Sequence, residues 1–567
     1  MKKLFYLLLG LSIQHLGFSQ ELQWYKSWAA NANQIILSTT FDNQNNIYLA
    51  GISSADFDAD PGPNTFTLTK TKTFMGFVIK LDTNGNFLTA FKINSTGNLS
   101  IDDIEVDNSG NIFISGIFTD TLEVPTATNF QSYGDSIGQG DNIYVAKLNP
   151  AGQTQWCNVY GSESQYQFYY DNIELTSQGD VILTGKYGPF FYVQGHPNSP
   201  FFGDDLFLMK LSSSNGNYVW IKFIKETNAA IKPSFLRVDA NDNIFLAGQF
   251  NRTVQFENGL PTTTNYGNNY SYDPFIIKYD SSGSYIAHIT YGYFNNEDIS
   301  SFDVDNNGNL YIAGIYKDSI DVDPSANTNY LVCDSSGYGG YAIKLDNNLN
   351  LSWAINFNGR NNGIATMEGV VTDNLGNAYF MGFGSINTEF AGNIMTGFHN
   401  KILTKINATG NVEWMQSYTT QTGNLQSYKS KYLMYKNGFI YVPISYYLPT
   451  DSLDLDFSTN TVSVYGVSSV DCSFMKYNTI PVVNTGINSS IHLKENLIVY
   501  PNPAKEQFNV KLKNKTIKSI SIYSVTGKLL ITTNNTNIKT QNLSKGIYFL
   551  QITDSENKVY SEKIMIQ

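Results

Sequence analysis

The sequence has few cysteines and an excess of acidic over basic residues. Among 567 residues there are only three cysteines, Cys157, Cys333 and Cys472, too few for a fold built on disulfides. The local sequence around them lacks cationic or histidine neighbours, so we expect buried, unreactive thiols. Lysine and arginine total 36 against 48 acidic residues, for a net charge of −12. An acidic surface repels phosphate groups, which argues against a nucleic-acid partner.

Long apolar runs and helical periodicity are also scarce. Only the first residues, MKKLFYLLLGLSIQHLGFSQ, join two lysines to an apolar run and end with small residues at Gly17 and Ser19. This pattern predicts an export signal over residues 1–19 rather than a membrane span. No other run approaches the ~18 apolar residues of a spanning helix, so no transmembrane segment is expected. Gly or Asn interrupts nearly every candidate helix, so few helices are expected.

The chain contains instead a long internal repeat. An apolar strand ending in lysine recurs at spacings of 61 to 71 residues, at Lys80, Lys147, Lys210, Lys278, Lys344, Lys405 and Lys476. Such a period indicates a repeat architecture. Each repeat reads as four short strands with turns such as TNGN and NNGN, which predicts an all-β fold. We expect the repeated lysines to pair with acidic neighbours or to cover aromatic surface.

The seventh repeat lacks its last strand, which in four of the other repeats carries a tryptophan: Trp156, Trp220, Trp353 and Trp414. A matching strand, LQWYKSW with Trp24 and Trp28, follows the export signal directly. Circular arrays close by such an exchange, so the sequence predicts a seven-bladed β-propeller over residues 20–480, with Trp24 beside residues 474–477. These repeats resemble the seven-bladed β-propeller repeats of secreted Bacteroidetes proteins, a resemblance that implies fold and not activity.

The end of the chain differs from the repeats. Residues 481–492 have the composition of a linker, and residues 493–567 contain 11 lysines and 5 acidic residues. Alternating short strands there predict a small Ig-like β-sandwich. This segment resembles the type A C-terminal sorting domain of the type IX secretion system, at the motifs Tyr500-Pro501-Asn502-Pro503, Val525-Thr526-Gly527-Lys528 and Gly546-Ile547-Tyr548. The resemblance implies that the type IX machinery exports the protein, after which the tail is removed and the rest is attached to the surface or released.

Paired aspartates are the candidate metal ligands. Asp58 and Asp60, and Asp321 and Asp323, are two residues apart, and Asp454 and Asp456 form a third pair. Two such carboxylates share a face of a strand and can hold Ca²⁺ together with loop carbonyls and water. The same spacing is typical of a strand with one face in water, and calcium needs six or more oxygens. Calcium at Asp58, Asp60, Asp321 and Asp323 is therefore a hypothesis beside that of a solvated strand face. The sequence indicates no other cofactor.

The sequence contains no short catalytic motif. His196 and His288 lie in no metal-binding spacing, and neither G-x-S-x-G nor a phosphate-binding loop occurs. Segments rich in Tyr and Asn, such as YGSESQYQFYYDN and NYGNNYSYDP, favour an exported protein that binds a polysaccharide or a protein. The alternative is a secreted carbohydrate-active enzyme, a glycoside hydrolase or lyase, with carboxylates from different blades at the propeller axis. The sequence selects no pair among its many acidic residues.

Overall fold

The computed structural model describes most of the chain, in the following segments: 18–19, 22–28, 33–73, 75–126, 130–131, 141–162, 172–186, 191–193, 196, 206–226, 230–267, 270–333, 337–360, 363–385, 388–390, 393–394, 400–419, 433–446, 452–454, 463–465, 471–479, 482–483, 497–512, 515–524, 529–541, 543–555 and 559–567. Every regular element in these segments is a β-strand, as predicted. No helix in them is long and apolar enough to cross a membrane. Most of the predicted signal, residues 1–17, and most of the predicted linker lie outside these segments.

The chain divides into two compact parts, residues 20–480 and residues 481–567 together with 1–19. Within the described residues of the larger part, seven antiparallel sheets each have a core of four strands paired in consecutive order. We number these repeats from the N-terminus. Repeats one to three contain Gln34–Phe41, Ile47–Ser53, Met75–Leu81, Phe87–Ser95; Asp103–Val106, Ile112–Phe118, Asn142–Leu148, Thr154–Ser162; and Asn172–Leu175, Val181–Lys186, Leu206–Leu211, Tyr218–Glu226.

The remaining repeats follow the same order. Repeats four to six contain Ile231–Val238, Ile244–Phe250, Asp273–Tyr279, Tyr285–Thr290; Asp298–Val304, Leu310–Lys317, Tyr338–Leu345, Leu351–Gly359; and Ala365–Thr372, Ala378–Gly384, Asn400–Ile406, Val412–Thr419. Repeat seven combines Met434–Lys436, Phe439–Tyr446 and Asp471–Asn478 with the early strand Leu22–Trp28. Short strands in the connecting loops add to these cores, for example Ser319–Asp321 paired with Tyr330–Val332.

Tight turns join the strands, and a side chain organises most of them. In the first turn, Asp42 Oδ1 accepts hydrogen bonds from the backbone N–H groups of Gln44 and Asn46 at 2.9 Å, and Asn46 Nδ2 donates to Asp42 Oδ2 at 2.8 Å. The same arrangement recurs at Asp82, Asp107, Asp239, Asp305, Asp346 and Asp373. These aspartates therefore serve the geometry of the turn, as expected of Asx turns.

Neighbouring repeats share their apolar cores. One buried cluster, for example, combines Ile143 and Val145 of repeat two with Leu183 and Phe207 of repeat three. Equivalent clusters lie between every pair of consecutive repeats, and a further one joins repeat seven to repeat one. Each sheet thus buries both of its faces against its neighbours, which is the main source of stability in such an array.

The repeated lysine joins one repeat to the next. Lys147 lies with its ammonium group 5.0 Å from the centre of the Phe113 ring, and its Nζ donates to the carbonyl oxygen of Ser213 in repeat three at 3.0 Å. The same bond to the following repeat joins Lys278 to Asn347, Lys344 to Ala408 and Lys476 to Thr83. Lys80 and Lys210 form ion pairs with Asp42 and Asp180, at 3.1 and 3.2 Å. The expectation that these lysines pair with acids and cover aromatic rings is confirmed.

The tryptophans make a second contact between repeats. Trp156 Nε1 donates to the carbonyl oxygen of Ser213, and the indole lies against Gly216 in the same turn of repeat three. Gly216 has a φ of +71°, and a Cβ at this position would come within 2.7 Å of the ring. The turn therefore needs glycine both for its backbone conformation and for the close approach of the indole.

The early strand completes repeat seven. Tyr25, Lys26 and Ser27 lie opposite Met475, Phe474 and Ser473, so the prediction that this strand joins the sheet of residues 474–477 is confirmed. The strand also contacts repeat one, because the ring of Trp24 lies 3.2 Å from the position of a Cβ at Gly85. Trp28 is buried in the cluster shared by repeats seven and one, and its Nε1 donates to Ala59 O at 3.1 Å.

The smaller part contains two antiparallel sheets around one apolar core. The first sheet consists of Leu497–Tyr500, Gln507–Leu512 and Asn537–Lys539, and the second of Leu529–Thr533, Ile517–Ser524, Gly546–Asp554 and Val559–Ile566. Asn502, in the first predicted motif, is bonded to the last strand, because its Nδ2 donates to Lys563 O at 2.6 Å and its Oδ1 accepts from Met565 N at 3.0 Å. The motif Val525–Lys528 lies outside the described segments.

A disulfide tests the register of the early strand. Ser27 and Ser473 face each other with their Oγ atoms 2.5 Å apart. We expect the double variant Ser27→Cys/Ser473→Cys to form this link on oxidation, seen by peptide mass spectrometry, and to gain about 2–4 kcal/mol in free energy of unfolding. The control Lys26→Cys/Ser473→Cys shifts one partner by a residue, so its side chains leave opposite faces of the sheet and do not link. Equal linking in both variants would contradict the register.

Candidate functional site

One position in the first strand of every repeat lines a common cavity of about 300 Å³, which we call the polar cavity. In each first strand, the residue at this position lies opposite the second residue of the second strand of the same repeat. Examples are Thr40 opposite Tyr48 and Glu105 opposite Phe113. Every occupant except Val371 carries a polar or charged group; the set is Thr40, Glu105, Glu174, Arg237, Asp303, Val371 and Tyr435. Residues separated by about one repeat length thus meet in a single site.

Arg237 is the cationic group of the polar cavity. Its Nη1 donates to Glu174 Oε1 in repeat three at 2.9 Å, and its Nε lies 3.6 Å from Asp303 Oδ1 in repeat five. Its guanidinium also donates to Leu236 O at 2.9 Å and lies over the Phe302 ring. The side chain is 25% exposed, so water reaches this ion pair from the cavity. One arginine therefore connects acids on both neighbouring repeats.

The other carboxylates also bond across repeats. Asp103 Oδ1 accepts from Ser38 Oγ of repeat one at 2.8 Å, and Asp103 Oδ2 accepts from Ile173 N of repeat three at 3.1 Å. Asp303 Oδ2 accepts from both the N–H and the hydroxyl of Thr372 in repeat six, each at 2.8 Å. These bonds link the first strands of successive repeats, which is a structural role for Asp103 and Asp303.

The carboxyl groups of Glu105 and Glu174 in the polar cavity have raised pKa values. Burial raises the pKa of Glu105 well above its usual value, and the negative charges of Glu174 and Asp103 raise it further. The one hydrogen bond to its carboxylate comes from Thr40 Oγ1 at 3.2 Å. Burial also raises the pKa of Glu174, to about 7, against the opposing effect of Arg237. The raised pKa of Glu105 favours its protonated form, which is the form that a proton donor requires.

The sequence analysis did not select these acids. The signal that identifies them is positional, since Glu105, Arg237 and Asp303 each stand two residues before the aspartate that organises the first turn of their repeat. That position faces the cavity only after the repeats have been placed around a common centre. Sequence spacing within one repeat carries no such information.

A surface rich in aromatic side chains lies at the other ends of the strands, away from these turns. We call it the aromatic loop surface; it consists of Tyr266, Tyr270, Tyr293, Phe294 and Tyr330. Tyr293 packs edge to face against Phe294 and Tyr330, with ring centres 4.8 and 5.3 Å apart. Phe294 is 60% and Tyr270 82% exposed. Part of the predicted binding segment NYGNNYSYDP thus presents its rings to solvent.

The aspartates predicted as calcium ligands organise two loop hairpins. Asp58 Oδ1 accepts from the backbone N–H groups of Asp60 and Phe66, at 3.1 and 2.8 Å. Asp321 Oδ1 accepts from those of Asp323 and Asn329, at 3.2 and 2.8 Å. These oxygens already have partners, and calcium at either pair stays a prediction. Asp454 lies in a short strand, and Asp456 falls outside the described segments.

The cysteines and the two described histidines are structural. Cys157, Cys333 and Cys472 are buried free thiols, and burial raises the pKa of Cys157 and Cys472, which confirms the prediction for them. His288 stacks on Phe256 and its Nδ1 is hydrogen bonded to Tyr285 Oη at 2.7 Å. Within the described segments no group of three or more His, Cys, Asp or Glu side chains is arranged to hold a metal.

The end of the chain identifies the route of export. Residues 498–567 match the family of secretion system C-terminal sorting domains. The protein is secreted or displayed on the outer cell surface. This domain implies an interaction with the type IX secretion machinery, and it agrees with the motifs that stand at Tyr500–Pro503 and Gly546–Tyr548.

Similarity to known proteins and solved structures is partial. A WD repeat-containing protein of Acanthamoeba polyphaga mimivirus is 28% identical over 187 residues, 28% of this chain and 13% of that protein. An endo-acting ulvan lyase of Formosa agariphila is 26% identical over 113 residues, 19% of this chain and 22% of the lyase. The chain therefore spans less than a quarter of either relative.

Among solved structures, a quinohemoprotein alcohol dehydrogenase from Comamonas testosteroni aligns with a TM-score of 0.35 and 10% identity, over 81% of this chain and 76% of that chain. A similarity of this degree assigns neither a fold nor an activity.

The raised pKa of Glu105 makes stability depend on pH. The folded state holds this proton more tightly than the unfolded state, so stability falls as pH rises from about 4.5 through the folded pKa. We expect Glu105→Gln to melt a few degrees above the wild type at about pH 8 and to converge with it near the pKa of a free carboxyl group. Glu123→Gln, on the short strand at residues 121–123, is the control and should follow the wild type. A constant difference between wild type and Glu105→Gln at all pH values would contradict this account.

Proposed function

We propose that residues 20–480 form a seven-bladed β-propeller closed by the strand Leu22–Trp28, and that residues 493–567 form a small β-sandwich after a linker at 481–492. Three observations support the closed propeller: the apolar core shared by repeats seven and one, the bond from Lys476 Nζ to Thr83 O at 3.1 Å, and the common cavity lined by all seven first strands. Closure by the N-terminal strand leaves no sheet with an open edge at the junction. The N-terminal residues 1–19 act as the export signal in this proposal.

We propose that the mature propeller is a binding protein for polysaccharide, attached to the cell surface or released after the sorting domain is removed. The observation that carries the proposal is the aromatic loop surface. Tyrosine and phenylalanine rings offer flat apolar faces to sugar rings, and tyrosine hydroxyls bond sugar hydroxyls. They do so at low cost in conformational entropy, because each side chain has only two rotatable bonds.

Truncating the aromatic loop surface tests the proposal. Both rings in Phe294→Ala/Tyr330→Ala are well exposed, so we expect the fold to be kept and affinity for the bound glycan to fall about tenfold or more. A glycan array identifies the ligand, and titration with that glycan measures the loss. Leu375→Ala removes an 81% exposed side chain from a turn at the other ends of the strands and is the matched control. Unchanged affinity in the double aromatic variant would refute this binding surface.

The second candidate is a secreted carbohydrate-active enzyme, and the polar cavity is the observation in its favour. Carboxylates from three different repeats line it, and Glu105 has the raised pKa of a general acid. The partial similarity to an endo-acting ulvan lyase points to the same substrate class. Against catalysis, Asp103 and Asp303 are bonded to neighbouring strands and Glu174 is paired with Arg237.

A product assay on the bound glycans separates the two candidates. A glycoside hydrolase releases reducing ends, and a lyase also creates an unsaturated uronate that absorbs in the ultraviolet. If the protein is an enzyme of this kind, either product forms with the wild type and is reduced at least 100-fold with Glu105→Gln, because general acid catalysis contributes about 10²–10⁴ in rate. Binding without either product supports the binding protein.

A further inference from the structure

Two buried carboxylates lie beneath the aromatic loop surface. Asp273 begins the third strand of repeat four, and Glu297 immediately precedes the first strand of repeat five. Their residues are 0% and 1% exposed. Asp273 Oδ1 and both carboxylate oxygens of Glu297 are buried without a hydrogen-bond partner. Buried charges normally have paired partners or coordinate a metal, because an unpaired one is very costly.

The two side chains converge on one small space beside Gly292. A Cβ at Gly292 would lie 3.2 Å from Glu297 Oε2 and 3.3 Å from Asp273 Oδ1. Gly292 has a φ of +151°, a conformation that excludes most side chains, so the space stays free. Carboxylate oxygens from two separate loops thus face the space that a side chain at residue 292 would occupy.

The surrounding backbone fixes both acids in place. The Tyr266 N–H donates to Asp273 Oδ2, and the Glu297 N–H donates to Tyr272 O at 2.9 Å. Burial and the charge of Asp273 raise the pKa of Glu297 to about 9, so one of the two acids keeps its proton until a cation takes its place.

We propose that Asp273 and Glu297 bind one calcium ion in the space beside Gly292. Two carboxylates carry the charge that one divalent cation balances, and oxygen is the donor that calcium prefers. The remaining oxygens come from backbone carbonyls of the two loops and from water, as in other calcium sites. Zinc is the poorer match, since it favours nitrogen and sulfur ligands.

The ion joins the two loops that carry the aromatic loop surface. Tyr266 stands seven residues before Asp273, and Tyr293 and Phe294 stand just before Glu297. Gly267 in the first loop already lies against the backbone of Phe294 in the second. Calcium therefore fixes the spacing of these rings, whatever ligand they bind, and the proposal holds independently of glycan binding.

The site differs from the aspartate pairs selected in the sequence. Asp321 lies next to it, since the Gly292 N–H donates to Asp321 O at 3.2 Å, but the Asp321 carboxylate accepts hydrogen bonds from its own loop. The spacing of 24 residues between Asp273 and Glu297 resembles no known calcium loop. Only the fold reveals this pair.

The test compares the full chain with the variant Asp273→Asn/Glu297→Gln in calcium chloride and in a chelator. We expect calcium to raise the wild-type melting temperature by about 2–5 °C and the variant's not at all. In the chelator the variant melts above the wild type, because the buried charge of Asp273 is gone. Terbium luminescence excited through the nearby tyrosines should report one bound ion in the wild type and none in the variant. The control Asp321→Asn/Asp323→Asn should keep the full response to calcium.

Three outcomes would overturn the proposal. The first is a wild-type melting curve that does not differ between calcium and chelator. The second is a calcium response that survives in Asp273→Asn/Glu297→Gln. The third is loss of the response in Asp321→Asn/Asp323→Asn alone, which would assign the ion to the adjacent hairpin. None of these results depends on glycan affinity, so the binding proposal is judged separately.

Discussion

The larger part of this protein depends on contacts between repeats. A four-stranded sheet with two apolar faces cannot be stable alone in water, and each sheet here buries both faces against its neighbours. The lysine at the end of each third strand gives this packing its register. In six of the seven repeats its ammonium group lies over an aromatic ring of the same repeat, and in four it donates to a turn carbonyl of the next repeat. One side chain thus determines both the packing within a sheet and the placement of the following sheet.

The fold was largely predictable, because its determinants are local and recur. The interval between lysines, the turn residues and the tryptophan strand each repeat along the chain, and the isolated strand at Leu22–Trp28 matched the missing strand of repeat seven. The polar cavity was not predictable, because its residues come from seven repeats and each appears in the sequence as an ordinary strand residue. Glu105 and Arg237 are 132 residues apart and acquire a shared environment only after assembly. The pair Asp273 and Glu297 was not predictable for the same reason, since spacing within a segment cannot reveal two side chains that meet between two loops.

Acidic residues have two different environments in this protein. Those in the turns and in the aspartate hairpins accept hydrogen bonds from the backbone and thereby hold the geometry of their loops. Those in the polar cavity and beneath the aromatic loop surface are removed from water with fewer donors, and their protonation or charge balance becomes sensitive to the surroundings. The net charge of −12 therefore says little about function. The few buried acids with raised pKa values are more informative.

The position of the early strand has a consequence for biosynthesis. Leu22–Trp28 is among the first segments to be made, and its partner Asp471–Asn478 among the last of the repeats. At ribosomal speeds of about 5–20 residues per second, roughly 20–90 s pass between the two. During that interval the nascent chain carries an unpaired aromatic strand, which is the kind of segment that favours aggregation. The array can thus be completed only after its seventh repeat has been made, a timing compatible with export of an unfolded chain.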